Sequence, residues 1–290
     1  MEATPVWHSY HLHFAGDHFD QAGDEVLSET VGPMLDHWQA ARSVRQFFFI
    51  RYSVDGPHVR LRILPWQPEA ATNLEQEILQ MAAASSLDLR PAEYVPETER
   101  YLGPALLGIG ERVFQASSEF ALAVIRGGKV PDRELRQGKA LAAMVVMAHA
   151  FLRGRTEALA MWDRYATRYE RRLGKGGDSG RERDVATLAE TLVAHAPRLV
   201  DTVAGLIAAL ENDGPLPEPF ETLLLRLRAL ARECRDELPS AGRWGAYRYP
   251  FYVFSQIHMH NNRLGIRPYE ETELANRLSA IYRLLAHERS

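Results

Sequence analysis

Basic and imidazole side chains alternate with apolar ones in one short segment of the sequence. His58, Arg60 and Arg62 are separated by Val59 and Leu61, and this period of two places the three polar residues on one face of a β-strand. Two guanidinium groups at i and i+2 lie about 7 Å apart and repel each other, so they favour an anion or carboxylates between them. The segment therefore predicts either a site for a carboxylate or a solvated sheet face that is paired with surface acids.

A carboxylate and an arginine follow a proline further along the chain. Pro96 favours a fixed loop or a helix start, and Glu97 and Arg100 come next, three residues apart. Such a pair can orient the arginine toward a pocket. It is equally an ion pair on a helix surface, which stabilises by only about 0.2–0.5 kcal/mol. The spacing alone leaves both interpretations open.

A histidine and an asparagine share a helix face in the segment 256–263. His258 and Asn262 are four residues apart, and Arg263 lies on the next face. A histidine between polar partners and apolar walls can be held neutral as a general base. The alternative is a core histidine that bonds to the backbone, with Asn262 capping the helix. His260 is a rival for the base, and the spacing does not separate it from His258.

The eleven histidines of the chain do not predict a metal site. His8, His11 and His13 lie close together, and His11 and His13 share a strand face, but no cysteine or matched carboxylate accompanies them. Neither a glycine-rich phosphate loop nor the GxSxG nucleophile motif occurs. The sequence therefore predicts neither a metal nor a cofactor.

Composition narrows the class of protein. The chain has 290 residues, a net charge of −4 and a pI near 6.3, so no global field draws it onto nucleic acid. The single cysteine, Cys234, excludes a disulfide framework and is typical of a reducing cytoplasm. The longest apolar run, 141–152, is shorter than the roughly 20 residues that cross a bilayer, and the first residues lack the features of a signal peptide. We expect a cytoplasmic protein that binds neither nucleic acid directly nor a membrane.

The segments that must position these residues change character near residue 104. In the first part, alternation and aromatic residues predict four strands, at 7–14, 46–53, 58–64 and 87–95. The second and third strands are joined by a turn signal, Asp55-Gly56-Pro57, which is typical of a hairpin. Pro91 favours an edge or irregular position for the fourth strand.

Helical spacing dominates the rest of the chain. A helix is predicted from Pro104, and further helices are predicted at 132–152, 155–173, 182–211, 219–238 and around 274–285. Two helices are predicted earlier, one at 24–42 that Gly32-Pro33 breaks or restarts, and one at 72–81 that a capping box of Thr72 and Glu75 opens. We expect an α+β fold in one domain, 1–290, with a small, mostly antiparallel sheet in 1–103 and helices in 104–290.

Four motifs in a fixed order carry a resemblance to a known family. They are Phe-Phe-Ile-Arg-Tyr at 48–52, Gly-Pro-His-Val-Arg-Leu-Arg at 56–62, Tyr-Val-Pro-Glu-Thr-Glu-Arg-Tyr-Leu-Gly at 94–103 and His-Met-His-Asn-Asn-Arg-Leu-Gly at 258–265. In this combination the chain resembles the glutamate-elimination domain of class I lantibiotic dehydratases. It also resembles the stand-alone thiopeptide-type bacteriocin biosynthesis proteins that are built on that domain.

The resemblance implies a lyase reaction. A partner enzyme esterifies a peptide Ser or Thr with glutamate from glutamyl-tRNA, and the elimination domain then removes the Cα proton and expels glutamate, leaving dehydroalanine or dehydrobutyrine. The family motifs imply catalytic roles for His258, Arg60, Arg62, Arg100 and Glu97. They imply substrate-binding roles for Arg51, His58, His260, Asn262 and Arg263. Leu102 stands where the family often has glycine.

The resemblance also implies partners and leaves alternatives open. The partners are a ribosomal precursor peptide with a leader, which we expect at the sheet edge near 87–95, and a separate glutamyl-tRNA-dependent glutamylation protein; a homodimer is left open. Pyridine synthases of thiopeptide pathways resemble the same scaffold and join two dehydroalanines in a formal 4+2 cycloaddition, with macrocyclisation and leader release. The full set of arginines, glutamate and histidine favours elimination, because cycloaddition has no glutamate to hold. A non-catalytic peptide-binding subunit is a further alternative.

Overall fold

The computed structural model describes residues 6–17, 19–127, 132–172 and 178–287. Its strands are β1 His8–His13, β2 Val44–Tyr52, β3 His58–Pro65 and β4 Asp88–Ala92. Its α-helices are α1 Gln21–Glu25, α2 Gly32–Ala40, α3 Ala70–Ala84, α4 Pro104–Arg126, α5 Arg133–Phe151, α6 Gly154–Arg172, α7 Asp178–His195, α8 Pro197–Glu211, α9 Phe220–Glu237, α10 Arg243–Arg263 and α11 Pro268–His287. The predicted α+β class is confirmed.

The four strands form one antiparallel sheet in the order β2-β3-β1-β4. The predicted hairpin is confirmed, since β2 and β3 pair with Phe49 opposite Leu61. Val59, Leu61 and Ile63 are fully buried, as the alternation along β3 indicates. The strand β4 lies at the edge of the sheet, which is where Pro91 is tolerated because one row of backbone groups there has no neighbouring strand.

The predicted break or restart at Gly32-Pro33 is a restart, because α2 begins at Gly32. A π-helical turn, Val26–Val31, joins α1 to α2, and Gly32 has the right-handed helical dihedrals φ −65° and ψ −48°. Pro33 lies in the first turn of α2, where its missing N–H is tolerated. The chain therefore passes from one helical form to another without leaving the helix.

Two other helix starts differ from the prediction for identifiable reasons. The helix α3 begins at Ala70, before the proposed capping box, because backbone bonds from Ala70 to Gln67 and from Ala71 to Pro68 already close its first turn. The segment 182–211 is two helices rather than one, since Pro197 cannot continue α7 and instead opens α8.

The chain divides into two compact units. The first comprises residues up to 132 together with 259–265, so it contains the sheet, α4 and the end of α10. In this unit α4 packs on β2 beside α2 and the π-helical turn. The helical character that begins at Pro104 therefore starts within the sheet-bearing unit rather than at its boundary.

The second unit is entirely helical in the part of it that the structure describes, and comprises 133–258 and the residues from 266 onward. Its centre is α5, whose residues 143–148 are fully buried. The helices α6, α8, α9 and α11 all pack against α5. The burial of α5 on every side explains why its sequence lacks the polar stripe of a surface helix.

No single helix among the described residues is long and apolar enough to cross a membrane. The sharply bent pair formed by 184–195 and α8 passes the same test of length and composition only when its two helices are taken together.

Candidate active site

Arg60 and Arg62 are held by aromatic rings rather than by carboxylates. The Arg60 guanidinium lies 3.5 Å from the centre of the Tyr52 ring, and its Nε donates to His58 Nε2 at 3.1 Å. The Arg62 guanidinium lies 4.7 Å from the centre of the Tyr94 ring. Across the described ranges neither guanidinium forms an ion pair with an acid. The alternative of a face paired with surface acids is therefore not what β3 presents.

Arg62 is the more buried of these two cations. Its Nε is shielded from solvent and has no hydrogen-bond partner within the described structure. Burial lowers the pKa of Arg62 to about 10, and the charge of Arg60 acts in the same direction, whereas Glu97 acts against it. A buried cation without an acid partner is unfavourable, because the protein interior solvates charge poorly. An incoming anion would relieve this, so the position suits a carboxylate ligand.

A wall of five aromatic residues lines the neighbourhood of Arg62. The ring centres lie 5.0 Å apart for Trp7 and Phe48, 5.7 Å for Phe48 and Tyr94, and 5.2 Å for Phe48 and Phe114. Tyr101 completes the wall with an edge contact to Phe114 at 5.2 Å. Rings in such offset and edge-on contacts fix one another, so this aromatic wall is a rigid support for Arg62.

The predicted pair of Glu97 and Arg100 is present as an ion pair of 2.8 Å in the loop before α4. The Arg100 side chain is 34% exposed and that of Glu97 is 60% exposed, so the pair itself adds little stability. Leu102, two residues on, has φ +63°, a left-handed backbone that costs a non-glycine residue about 1–2 kcal/mol. This conformation accounts for the glycine that the family often has there, and the leucine adopts it nonetheless.

Arg51 and Asn262 have their polar groups engaged within the protein. The Arg51 side chain is buried and bonds to Asp24 Oδ1 at 2.6 Å and to the Arg263 carbonyl at 3.0 Å. The Asn262 amide accepts from the Arg51 N–H and donates to the Arg51 carbonyl, both at 2.9 Å. Ser118 Oγ accepts from the Phe49 N–H on the same strand edge. These contacts hold the end of α10 against β2, and the substrate-binding role that the resemblance implies for Arg51 and Asn262 remains a prediction.

Arg263 and His260 are both fully buried in the first unit. Arg263 donates from Nε to Ser118 Oγ at 3.1 Å, and its Nη2 is buried without a partner within the described residues. Burial lowers the pKa of Arg263 to about 9, and the nearby charge of Arg62 lowers it further. Arg263 is therefore a third cation of this unit that no described acid neutralises.

His260 differs from His258 in its access to solvent. Its Nδ1 lies 2.9 Å from Ser117 Oγ, its ring packs against Phe120, and burial lowers its pKa to about 3. His258 is 34% exposed at its side chain. A general base must reach the proton that it removes. The accessible His258 is thus the better candidate for the base, and His260 is a neutral core histidine.

His258 belongs to the second unit, where a buried carboxylate holds it. Its Nδ1 lies 2.8 Å from Glu271 Oε2, and the Glu271 side chain is only 1% exposed. A carboxylate at Nδ1 fixes the ring orientation and favours the tautomer that carries its proton on Nδ1. Sequence analysis missed Glu271, since an acid in the first turn of a helix is ordinary and its burial has no sequence signal.

The predicted site residues therefore divide by unit. Four of them belong to the first unit, namely Arg60, Arg62, Glu97 and Arg100. In addition to burial, Arg60 and Glu97 shift the pKa of Arg62, and Arg100 and Glu97 shift the pKa of Tyr101. His258 belongs to the second unit. The convergence of His258 with the arginines on one cleft remains a prediction.

A family comparison identifies the chain. The model for the C-terminal part of lantibiotic biosynthesis dehydratases matches residues 7–282. This chain belongs to that family. The predicted resemblance is confirmed, and so is the expected role in the biosynthesis of a lantibiotic-type peptide product at the level of the family. No curated protein matches the sequence.

Solved structures share the fold of this family member. One is the tRNA-dependent lantibiotic dehydratase MibB from Microbispora sp. 107891, with 20% identity and a TM-score of 0.70 over 99% of this chain, which spans 29% of MibB. A second is TbtD, the pyridine synthase from thiomuracin biosynthesis, with 17% identity, a TM-score of 0.64 and coverage of 98% of this chain and 99% of TbtD. A third is TsrL, with 18% identity, a TM-score of 0.59 and coverage of 99% and 96%.

Proposed function

We propose that this chain is a lyase that eliminates glutamate from glutamylated Ser or Thr residues of a peptide. The observation that carries the proposal is the pair of guanidinium groups of Arg60 and Arg62, which project from one sheet face with no acid partner within the described residues. Arginine binds a carboxylate through two parallel hydrogen bonds. A glutamyl ester carries a carboxylate, and elimination converts its ester group into a second carboxylate on the released glutamate.

The elimination has two demands that these side chains meet. A base takes the Cα proton, the electron pair forms the Cα=Cβ double bond, and the Cβ–O bond breaks to release glutamate. Negative charge grows first on the enolate-like intermediate and then on the departing carboxylate. Arg60, Arg62 and Arg100 stabilise this negative charge, and one positioned donor of this kind lowers the barrier by about 3–4 kcal/mol.

His258 is the proposed base. Glu271 accepts from its Nδ1, so the ring is held in one orientation and Nε2 is the nitrogen that we assign to the Cα proton. After proton transfer the imidazolium is stabilised by the same buried carboxylate. In this assignment Glu97 orients Arg100 through their ion pair.

The aromatic wall favours a second candidate function, that of a pyridine synthase. A formal 4+2 cycloaddition of two dehydroalanines brings together flat, uncharged groups, and rigid rings such as Phe48 and Tyr94 offer surfaces on which flat groups stack. This reaction has no use for the unpaired arginines, and for that reason we favour elimination. A non-catalytic peptide-binding subunit would need neither His258 nor Glu271.

The proposal includes partners and a location. The substrate would be a ribosomal precursor peptide, with its leader added as a strand along the edge of the sheet at β4. A separate protein would attach glutamate from glutamyl-tRNA. The reaction would take place in the cytoplasm, where the lone Cys234 stays reduced.

Two substrates distinguish the candidate functions. The protein is incubated with a glutamylated precursor peptide and, separately, with a peptide that carries dehydroalanines and thiazoles. Mass spectrometry then detects loss of glutamate from the first or macrocycle formation with leader release from the second. Elimination predicts glutamate release only. A wild-type protein that leaves authentic glutamyl esters intact but converts the second peptide is a cyclase instead.

A measurement of peptide affinity tests the role of the leader. A core peptide without its leader should bind more weakly than the full precursor, and equal affinity would remove the leader from the proposal.

Arg45→Ala is the matched control for the arginine variants, because Arg45 is an exposed arginine of β2 that lies over Trp66 and is not assigned to the site.

A further inference from the structure

Three histidines that are distant in sequence meet on one face of the sheet. His11 and His13 lie two residues apart on β1, and His58 opens β3 directly opposite His13. The ring centres of His13 and His58 are 4.3 Å apart, and those of His11 and His58 are 4.8 Å apart. Both strands lie in the interior of the sheet, so neighbouring strands on each side fix their backbones.

The nitrogens of these rings are close enough to share one ion. One ring nitrogen from each histidine lies within 4.8 Å of the others. Zinc binds histidine nitrogen at about 2.0–2.1 Å in a tetrahedral arrangement, which places two ligand nitrogens about 3.3 Å apart. Zinc binding would therefore require rotation about the side-chain bonds that shortens the nitrogen separations by up to about 1.5 Å.

The hydrogen bonding of His58 prepares it as a ligand. Its Nδ1 lies 2.8 Å from the Gly56 carbonyl, which only accepts, so Nδ1 carries the proton and Nε2 carries the lone pair. A backbone carbonyl that fixes the tautomer in this way is the usual support of a metal-binding histidine.

We propose that His11, His13 and His58 bind one divalent zinc ion, with a fourth position left to water. No metal was predicted for this chain, because neither a cysteine nor a matched carboxylate accompanies His8, His11 and His13 in the sequence. The third ligand comes from β3, some 45 positions further along the chain, and the register of β1 on β3 supplies it. Three histidines and an open position form a known type of zinc site.

Binding of zinc would change the partner of Arg60. The Arg60 Nε now donates to His58 Nε2, and a zinc ion would take the same lone pair. Arg60 would then be released from His58 while its contact with the Tyr52 ring is kept. Asp88 on β4 faces His13 in the register, and its carboxylate is already paired with Arg90 at 2.6 Å.

Metal titration tests the site without any peptide. The full-length protein is freed of metal with a chelator and titrated with Zn²⁺ by calorimetry and with Co²⁺ by visible absorption. One equivalent is expected, and His11→Ala, His13→Ala and His58→Ala should each weaken binding by at least about tenfold, the lower end of the losses seen when a metal site is disturbed. Excess Zn²⁺ should also raise the melting temperature of the wild type. It should do so less in the three variants.

His8→Ala is the matched control, because His8 lies on the same strand with its side chain on the opposite face. His11→Gln removes the ligand with little change in volume at the least buried of the three positions, so it replaces any alanine variant that fails to fold by circular dichroism. Failure of the wild type to bind Zn²⁺, or binding that persists unchanged in all three variants, would overturn the proposal. Neither result depends on whether the protein eliminates glutamate.

Discussion

The arginines of β3 and the buried carboxylate at the start of α11 differ in whether the protein supplies their partners. On β3, Arg60 and Arg62 have rings and an imidazole as neighbours but no acid within the described residues. At the start of α11, the nearly buried Glu270 is bonded by Arg133, Gln137 and the Arg267 N–H. The protein itself supplies partners for the Glu270 carboxylate, whereas Arg60 and Arg62 have no acid partner among the described residues.

This difference separates structural charge from functional charge. A buried ion is tolerated when its partners are complete, and removal of one partner then exposes the cost of burying the other. A cation without an acid partner destabilises the fold slightly and is kept for another reason. The two classes should therefore respond oppositely to substitution.

The largest expected effect is the loss of the base. His258→Ala should slow glutamate elimination on the order of 10²–10⁴-fold, because the Cα proton then has no positioned acceptor. The glutamyl ester should accumulate, as mass spectrometry of a single-turnover reaction would detect. His195→Ala, an exposed histidine of α7, is the control with an unchanged rate. A variant at His258 that works at the wild-type rate would move the base elsewhere.

The largest effect on stability is expected when one partner of the buried ion pair of Arg51 and Asp24 is removed. Arg51→Met leaves Asp24 buried and unneutralised, and should lower the free energy of unfolding by about 3–5 kcal/mol in a urea titration. The double variant Arg51→Met, Asp24→Leu should recover part of this loss, because no buried charge then remains. A single variant as stable as the wild type would contradict the structural role of Arg51.

Arg62, which has no acid partner among the described residues, should show the opposite pattern, with a loss of rate and no loss of stability. Arg62→Met should reduce the elimination rate on the order of 10²–10³-fold, through loss of one charge-stabilising donor. The same variant should leave the melting temperature unchanged or raised, since a buried cation has been replaced by an apolar side chain. Arg45→Ala serves as the control for both measurements. A fall in stability as large as that of Arg51→Met would make Arg62 a structural residue and break the comparison.

A smaller effect is expected at the carboxylate behind the base. Glu271→Gln still accepts a hydrogen bond from His258 but no longer stabilises an imidazolium, so the rate should fall by up to about 10²-fold, the scale of a misplaced catalytic group. Glu271→Leu should fall further, because orientation is lost as well. Equal rates for these variants and the wild type would show that Glu271 serves only the fold of the second unit.

The last prediction concerns pH. His260 has a folded pKa of about 3, below the unfolded value near 6.5, so its contribution to stability is fully present above pH 6.5. It is lost as the pH falls toward 3, by up to about 1.4 kcal/mol per pH unit. Urea titrations between pH 4 and 8 should therefore show that the free energy of unfolding depends less steeply on pH for His260→Asn than for the wild type, with His195→Asn unchanged. An identical pH dependence in His260→Asn and the wild type would mean that His260 has the same pKa in the native and unfolded states.

The features predicted from the sequence are those that depend on the spacing of neighbouring residues. The hairpin of β2 and β3, the polar face of Arg60 and Arg62 and the edge position of β4 follow from alternation, a turn signal and one proline. Helix limits such as those of α5 and α9 fall within one residue of the prediction, because long periodic segments with polar ends are well marked.

What escaped prediction depends on pairing across the chain. Asp24 meets Arg51, Glu271 meets His258, and His13 meets His58 only after folding, and no spacing along the sequence encodes these partners. The family motif at 48–52 implies a substrate-binding role for Arg51. The structure places Arg51 in a buried ion pair.

Asn262 has a consequence for the sheet as an assembly. An exposed strand edge offers unpaired N–H and C=O groups to any other chain and is a common starting point for aggregation. At β2 the Asn262 amide occupies both backbone groups of Arg51, and Ser118 occupies the N–H of Phe49. These side chains imitate the next strand and end the ladder on that side. The edge at β4 is not closed in this way, so under the proposed function an extended peptide would add there while the β2 edge stays protected from strand addition.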